Sequence, residues 1–245
     1  CPCFRDVRSI RICTGCGECV EKCPVTVEDD FNQGIDSRSA IFKYQDQAAP
    51  NVVTIDAENC LKLTKGVCGL CEKTCDKGAI NYDQKPETID LDVASVVFAA
   101  GYDAFSGNIV SEYGYLNYEN VITSLEYERF LSASGPTGGH IERPSDGKEA
   151  EKIAFLHCAG SRDIRSDTNY CSSVCCMYSI KQSIITKEHL KEADLDLYYM
   201  DIRAYGKGFE RYYNMAEGTE GINFKRNRIA EIEKNKETDQ IIIKS

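Results

Sequence analysis

Fourteen cysteines, many separated by only two or three residues, are the residues of this 245-residue sequence that could do chemistry. The stretch from Cys13 to Pro24 carries four of them in the pattern C-x2-C-x2-C-x3-C-P. This pattern is typical of bacterial ferredoxins with two clusters, in which three thiolates bind one iron–sulfur cube and the fourth binds the other. Gly15 and Gly17 allow the loop to bend around the sulfurs and to donate N–H groups to the cluster.

A second group of four cysteines follows, in the pattern Cys60-x7-Cys68-x2-Cys71-x3-Cys75. Its first gap is seven residues instead of two, and Asp76 stands where proline is usual. Because four thiols remain, we expect a looped-out segment at residues 61–67 and no lost ligand. The crossed arrangement of two-cluster ferredoxins then predicts two 4Fe–4S ligand sets: Cys13, Cys16, Cys19 and Cys75 for the first cluster, and Cys23, Cys60, Cys68 and Cys71 for the second. A zinc site is the alternative, since zinc also uses C-x2-C pairs, but it does not require the 2-2-3 spacing followed by proline.

The last group of cysteines, Cys158, Cys171, Cys175 and Cys176, fits no common ferredoxin spacing. Cys158 ends a predicted strand, and the other three open a predicted helix, whose N-terminus favours thiolate over thiol. These residues could hold another cluster, or they could be buried cysteines or a redox disulfide; spacing alone leaves both open. His157 could donate a hydrogen bond to such a site or simply be packed.

Strand and helix patterns divide the chain into a cysteine-rich module, residues 1–86, and a larger α/β domain, residues 87–245. Strands that alternate with helices predict βαβ units and a mostly parallel sheet. The predicted strands are Ile89–Phe98, Lys152–His157, Leu195–Ile202, Ile222–Arg226, Ile229–Glu233 and Gln240–Ile243. The predicted helices are Glu119–Ser132, Cys176–Ala193 and Phe209–Glu217.

Composition excludes several classes of function. A net charge of −10 argues against nucleic acid and anionic lipid as partners, because both bind basic surfaces. The longest apolar run, Val93 to Ala100, is too short to cross a bilayer. A secreted disulfide scaffold is disfavoured by the chain length, the cysteine spacing and the lack of a signal peptide. Because the chain starts at Cys1, we expect it to be processed, truncated or a piece of a longer protein, with Cys1 and Cys3 as remnants of a missing segment.

The sequence resembles the A subunit of heterodisulfide reductase, which contains flavin and iron–sulfur clusters in methanogens, and its relatives in other anaerobes. The resemblance runs almost the full length and depends on several stretches in combination. They are Cys13-Thr-Gly-Cys-Gly-Glu-Cys19, Ala99-Ala-Gly-Tyr-Asp103, Asn120-Val-Ile-Thr-Ser-Leu-Glu126, Phe130-Leu-Ser-Ala-Ser-Gly-Pro-Thr-Gly-Gly139, Arg143-Pro-Ser-Asp-Gly-Lys148, Gly160-Ser-Arg-Asp163, Tyr170-Cys-Ser-Ser-Val-Cys-Cys-Met-Tyr178 and Asp201-Ile-Arg-Ala-Tyr-Gly-Lys-Gly208.

The resemblance implies a thioredoxin-reductase-like α/β domain, of the FAD/NAD(P)-binding type, with a two-cluster ferredoxin-like α+β module on its N-terminal side. It implies a third 4Fe–4S cluster on Cys158, Cys171, Cys175 and Cys176, and FAD approached by Gly101 and Tyr102. It also implies a cytoplasmic electron-transfer component that works with the other reductase subunits, a hydrogenase or formate dehydrogenase, and ferredoxin. Electrons would be relayed toward the heterodisulfide of coenzymes M and B, which a partner subunit reduces. Whether the flavin bifurcates the electrons is left open. No catalytic residue is therefore expected in this chain.

The sequence departs from that family in lacking a G-x-G-x-x-G motif, because the flavin-pyrophosphate fingerprint of the family lies upstream of the ferredoxin insert. Two other functions stay open on the sequence. One is the related quinone-interacting oxidoreductase of sulfate reducers. The other is a flavin-free scaffold that carries clusters and docks partners.

Overall fold

The computed structural model describes residues 12–84, 88–101, 104, 111–164, 167–235, 238 and 240–244. Contacts divide the chain into two compact units, Cys1–Ala100 and Gly101–Ser245, called here the N-terminal and the C-terminal unit. The domain boundary predicted between residues 86 and 87 falls outside the described residues, as do Cys1 and Cys3.

The N-terminal unit is built from short helices and two antiparallel strand pairs. Its helices are α1 (Glu18–Glu21), α2 (Leu61–Lys65) and α3 (Leu70–Thr74), and its strands are β1 (Thr26–Glu28), β2 (Ser37–Ser39), β3 (Ile41–Lys43) and β4 (Val53–Ile55). Strand β1 pairs with β2, and β3 pairs with β4. Ala40 and Ile41, at the junction of the two pairs, are almost completely buried and form the centre of the unit.

Asp56 holds the turn that leads from β4 to the first cysteine of the second group. Its carboxylate accepts hydrogen bonds from Arg38 at 3.2 Å and from the Asn59 side chain at 3.0 Å. The Asp56 carbonyl accepts from the backbone N–H of Cys60 at 2.9 Å. Burial alone would raise the pKa of Asp56, but the bonds from Asn59 and Arg38 outweigh it and hold the pKa below its usual value.

We predict that Asp56→Ala lowers the free energy of unfolding by about 1–3 kcal/mol at pH 7, because charged hydrogen bonds are lost. A depressed pKa contributes stability above the unfolded value, so this contribution disappears as the pH falls below about 4. Urea unfolding at neutral and acid pH measures both effects. The exposed Asp46, changed to alanine, is the control and should alter stability by less than about 0.5 kcal/mol. A deficit of the Asp56 variant that is equally large in acid would contradict the prediction.

The C-terminal unit contains a three-stranded parallel sheet with helices as crossovers, so the chain has a mixed α/β fold. The strands β5 (Lys152–Leu156), β6 (Asp194–Tyr199) and β7 (Ile222–Arg226) lie in that order. Helix α4 (Ser124–Leu131) precedes the sheet, α5 (Cys175–His189) joins β5 to β6, and α6 (Phe209–Glu217) joins β6 to β7.

The prediction of a mostly parallel sheet is right for these three strands and wrong for the last two. Strands β8 (Glu231–Lys234) and β9 (Ile241–Lys244) form a separate antiparallel pair. The six residues between them are too few for the crossover that parallel pairing needs.

Helix α4 starts later than predicted, at Ser124 and not at Glu119. The reason is a capping box: the Thr123 hydroxyl accepts from the backbone of Glu126, whose carboxylate accepts from the backbone of Thr123. The other predicted helices and strands of this sheet agree with the structure within a few residues. Among the described helices, none combines the length and the apolar character needed to span a bilayer.

The strand predicted at Ile89–Phe98 is wrong. This segment has no regular structure, and its apolar side chains face solvent, with Val97 87% and Phe98 90% exposed. A strand needs a neighbour that satisfies its N–H and C=O groups, and none of the described strands pairs with this segment. An apolar composition without such a neighbour does not produce a strand.

The core of the C-terminal unit lies between the parallel sheet and helices α5 and α6. Leu195 and Leu197 of β6, Ile180 of α5 and Ala216 of α6 are completely buried in one cluster. Leu197 pairs in register with Phe155 on one side and Phe224 on the other. The central strand β6 therefore packs against β5, which precedes Cys158, and against α5, which carries Cys175 and Cys176.

We predict that Leu197→Ala lowers the free energy of unfolding of the C-terminal unit by about 2–5 kcal/mol, because it removes buried methyl groups and leaves a cavity. Chemical denaturation followed by circular dichroism measures the loss. Leu91→Ala is the matched control, since Leu91 is 76% exposed and its truncation should cost less than about 0.5 kcal/mol. Equal effects of the two substitutions would show that the core is assigned wrongly.

Candidate metal centres

All twelve cysteines predicted as ligands lie within the described residues, and all twelve are free thiols. Their burial varies, since Cys16 and Cys68 are exposed while Cys19, Cys158, Cys175 and Cys176 are buried. No disulfide joins any pair of these described cysteines. The thiols are thus chemically available as metal ligands.

Four cysteines of the N-terminal unit, Cys23, Cys60, Cys68 and Cys71, line one cavity. They are the four residues predicted to hold the second cluster. The cavity is partly open to solvent. Most of the remaining lining is apolar, including Val25, Ala40, Ile41, Ile55, Leu61 and Leu70. Sulfur ligands in an apolar surrounding are a suitable donor set for an iron–sulfur cluster. The irons of such a cluster are bound by soft thiolate ligands, and the reduction potential of the cluster depends on solvent access.

The long gap between Cys60 and Cys68 is folded and not simply looped out. Cys60 precedes α2, and Gly66 ends that helix with φ +70°, a conformation that favours glycine. The chain then turns through Cys68, which itself has φ +81°. Helix α2 therefore returns the chain, so that Cys60 and Cys68 reach the same cavity. A non-glycine residue with positive φ is strained, and such strain is found preferentially at functional sites.

The first cysteine group, Cys13, Cys16 and Cys19, lies around a tight loop. Burial raises the pKa of Cys19 to about 11, and the neighbouring charges of Cys13 and Cys16 contribute to this rise. Gly15 has φ +71°, and a Cβ added there would lie 2.4 Å from the Asn51 carbonyl oxygen, so only glycine fits. When a metal binds, it replaces the protons of the thiols and compensates the negative charge of the thiolates. Coordination therefore relieves the mutual repulsion of the clustered sulfurs.

The two ligand groups of the N-terminal unit are neighbours. The charge of Cys71, from the second group, also contributes to the raised pKa of Cys19 in the first. Helices α1 and α3, which carry these two cysteines, pack against each other. Cys75, at the end of α3, accepts a hydrogen bond from the backbone of Ala79 at 3.4 Å.

In the C-terminal unit, three of the four predicted cysteines share hydrogen bonds. The hydrogen-bonding interactions with Cys158 and Cys176 hold the pKa of Cys175 far below its usual value, although burial opposes this. The Cys176 thiol also donates to the Asp201 carbonyl at 3.8 Å. The pKa of Cys158 and that of Cys176 are raised by the same interaction. The cysteines lie where the carboxyl end of β5 meets the N-terminus of α5, a place that stabilises negative charge.

Cys171 precedes α5 in a loop and accepts a hydrogen bond from the backbone of Ser173 at 3.3 Å. Both Ser173 and Cys158 have positive φ, at +64° and +59°. The structure therefore brings Cys158, Cys175 and Cys176 into direct contact and places Cys171 on the adjoining loop.

His157 packs behind this group and supports it indirectly. Its Nε2 lies 2.6 Å from the Ser179 hydroxyl, which donates to the Cys175 carbonyl at 2.7 Å. Because that hydroxyl gives its proton to the carbonyl, His157 Nε2 donates to Ser179. The histidine thus helps to hold the first turn of α5 without contacting a sulfur.

Sequence reasoning missed two side chains that contact sulfur. Arg162 hydrogen-bonds to Cys158 and pairs with Asp201, and the Tyr82 hydroxyl lies 2.9 Å from Cys71 Sγ. Nothing in the spacing marks either residue, although Arg162 belongs to the matched stretch Gly160–Asp163. Arg162 brings a positive charge to a site of converging thiolates.

The residues predicted to approach FAD are described only in part. Gly101 is exposed with φ +75°, and a Cβ added there would meet nothing within 4 Å. Tyr102 lies outside the described residues. The described surroundings of Gly101 do not enclose a flavin.

Within the described ranges, no three His, Cys, Asp or Glu side chains are grouped as ligands of a single metal ion. The cysteines are related instead by the cavity that Cys23, Cys60, Cys68 and Cys71 share, and by electrostatic interactions among the other thiols.

Comparison with known proteins finds relatives of this chain. No family model matches the chain. The chain is 46% identical to the iron–sulfur A subunit of the CoB–CoM heterodisulfide reductase of Methanocaldococcus jannaschii and 48% identical to the second such iron–sulfur A subunit of Methanopyrus kandleri, in each case over 95% of its own length. This chain is related to the A subunits of heterodisulfide reductase. It spans about a third of the length of these curated relatives, 35% of each.

A third relative is 45% identical over 91% of this chain. It is the A subunit of the H2:CoB–CoM heterodisulfide,ferredoxin reductase of Methanothermobacter thermautotrophicus, of which 33% is covered. The family resemblance predicted from the cysteine motifs and the matched stretches is confirmed.

Proposed function

We propose that this chain is the cluster-bearing, electron-transfer part of an A subunit of the heterodisulfide reductase type, in a cytoplasmic complex. The observation that carries the proposal is the apolar cavity lined by Cys23, Cys60, Cys68 and Cys71, which come from two distant cysteine motifs. Such a convergence is what the crossed ligation of a two-cluster ferredoxin requires. The names of the relatives, iron–sulfur subunits of this reductase, support the same function.

Three 4Fe–4S clusters are proposed. Cys13, Cys16, Cys19 and Cys75 would hold the first, Cys23, Cys60, Cys68 and Cys71 the second, and Cys158, Cys171, Cys175 and Cys176 the third. A bound cluster supplies a one-electron acceptor and donor. The chain holds the thiolate ligands, shields the second site with apolar side chains and places Arg162 against the thiolates of the third site.

Proximity supports an electron relay in the N-terminal unit. The charge of Cys71 acts on Cys19, so the ligands of the two proposed clusters lie within electrostatic reach of each other. The resemblance assigns the disulfide-reducing chemistry to a partner in the complex.

The resemblance to the family supports three further parts of the proposal, which are the modules, the flavin and the partners. They are a ferredoxin-like module, a thioredoxin-reductase-like domain and FAD near Gly101 and Tyr102. The partners are other reductase subunits, ferredoxin, and a hydrogenase or formate dehydrogenase. The relative from Methanothermobacter thermautotrophicus has H2 and ferredoxin in its name, and the relative from Methanosarcina mazei has ferredoxin in its name. The names of the relatives favour this function over the quinone-interacting oxidoreductase.

The proposal is tested by chemical analysis of anaerobically prepared protein. About twelve irons and as many acid-labile sulfides per chain are expected for three cubes. About eight irons would remove the third site, and zinc or metal-free thiols would contradict the whole proposal. Co-purifying subunits distinguish the heterodisulfide reductase from the quinone-interacting type. Flavin in the purified complex argues against the flavin-free scaffold.

A further inference from the structure

One side-chain hydroxyl of the N-terminal unit contacts a proposed ligand sulfur. Tyr82 lies beyond α3, and its hydroxyl oxygen is 2.9 Å from Cys71 Sγ. Tyr82 also lines the cavity shared by the four cysteines of the second set. By contrast, the described hydrogen bonds to Cys68 and Cys75 come from backbone N–H groups.

The direction of the hydrogen bond follows from the chemistry of the two groups. A cysteine sulfur bound to iron carries no proton, so the phenol must be the donor. A tyrosine phenol is protonated at neutral pH, so it has the proton that this hydrogen bond requires. The ammonium of Lys62 lies 5.9 Å from the centre of the Tyr82 ring, which favours this ring position.

We propose that Tyr82 is a positioning residue that sets the reduction potential of the second cluster through its hydrogen bond to Cys71. The inference rests on the proposed function, because it requires a cluster on Cys71. Reduction adds one negative charge, part of which is borne by the thiolate sulfurs. A hydrogen bond donated to such a sulfur stabilises the reduced cluster more than the oxidised one. Tyr82 therefore raises the potential of the second cluster.

The consequence is a specific order of electron occupancy. The first and the second cluster have cysteine ligands of the same type, and their ligands are neighbours. A hydroxyl donor at Cys71 therefore shifts the distribution of an electron between the two proposed clusters toward the second one.

The test is Tyr82→Phe in the full chain, reconstituted anaerobically and titrated by redox potentiometry with electron paramagnetic resonance. Only the hydroxyl is removed, so the equilibrium constant for reduction of one cluster should fall about three- to tenfold. A tenfold fall corresponds to about 59 mV for one electron. Tyr44→Phe is the matched control, because Tyr44 is exposed and packs on Phe31, and its variant should titrate as the parent does.

A second variant tests the direction in which the hydroxyl shifts the reduction potential. Incorporation of 3-fluorotyrosine at position 82 keeps the ring and makes the hydroxyl a stronger donor, so the same cluster should become easier to reduce. Opposite shifts in the two variants, with equal iron content, would support the inference.

These experiments distinguish a failure of the proposed function from a failure of the inference about Tyr82. Parent protein without iron would overturn the proposed function, and with it this inference. Parent and Tyr82→Phe with equal iron but the same potential would overturn the inference alone. Loss of iron in Tyr82→Phe, together with an unshifted potential in the fluorotyrosine protein, would show a merely structural tyrosine and also overturn it.

Discussion

Replacing Cys23 and Cys60 together by alanine is expected to remove one cluster and to leave about eight of about twelve irons per chain. Both residues line the same cavity, although 36 intervening positions separate them in sequence. Loss of two ligands from one site should therefore abolish that site and spare the others. Iron and acid-labile sulfide, measured on anaerobically reconstituted protein, give the result.

The matched experiment replaces Cys16 and Cys23, two cysteines of the same local motif. In the crossed arrangement these two residues serve different clusters, so about four irons should remain. If each motif instead bound its own cluster, the outcomes of the two double variants would be exchanged. The pair of variants therefore decides between crossed and uncrossed ligation whichever result is obtained.

Cys175→Ala is expected to remove the third cluster and to leave about eight irons. Cys175 interacts with both Cys158 and Cys176, and it lies in the first turn of α5, where thiolate is favoured. Without it the remaining cysteines lose the residue that joins them. The spectroscopic signals of the two clusters in the N-terminal unit should persist.

Cys3→Ala provides the control for this substitution, since Cys3 is a cysteine outside all three proposed ligand sets. It should keep about twelve irons. Retention of about twelve irons by the Cys175 variant as well would show that Cys175 is not a ligand and that the C-terminal cysteines have another role.

Local patterns predicted much of the C-terminal unit. Helix α6 and strand β7 have the predicted bounds, because an apolar periodicity and flanking glycines are properties of the segment itself. The prediction failed at Ile89–Phe98, where the composition is that of a buried strand but no described strand pairs with it. Pairing depends on a second segment, and the apolar pattern of one segment does not supply it.

The candidate ligands could be named from the sequence because cysteine spacing within a turn decides which sulfurs can reach one cluster. Their surroundings could not. Helix α2, which carries the extra residues after Cys60, was expected as a loop, since a seven-residue gap has no ligand pattern of its own. The contacts of Tyr82 with Cys71 and of Arg162 with Asp201 join residues 11 and 39 positions apart.

By itself the sequence predicted the likeness to heterodisulfide reductase A subunits, the candidate cysteine ligands and the alternation of strands and helices in the parallel sheet, all of which depend on short-range spacing. The tertiary structure decided that Cys23 shares a cavity with Cys60, Cys68 and Cys71, and that a phenol contacts one of these sulfurs. These contacts form between distant segments, whose meeting depends on how Ala40 and Ile41 are buried and how α1 packs on α3. No local pattern encodes that packing.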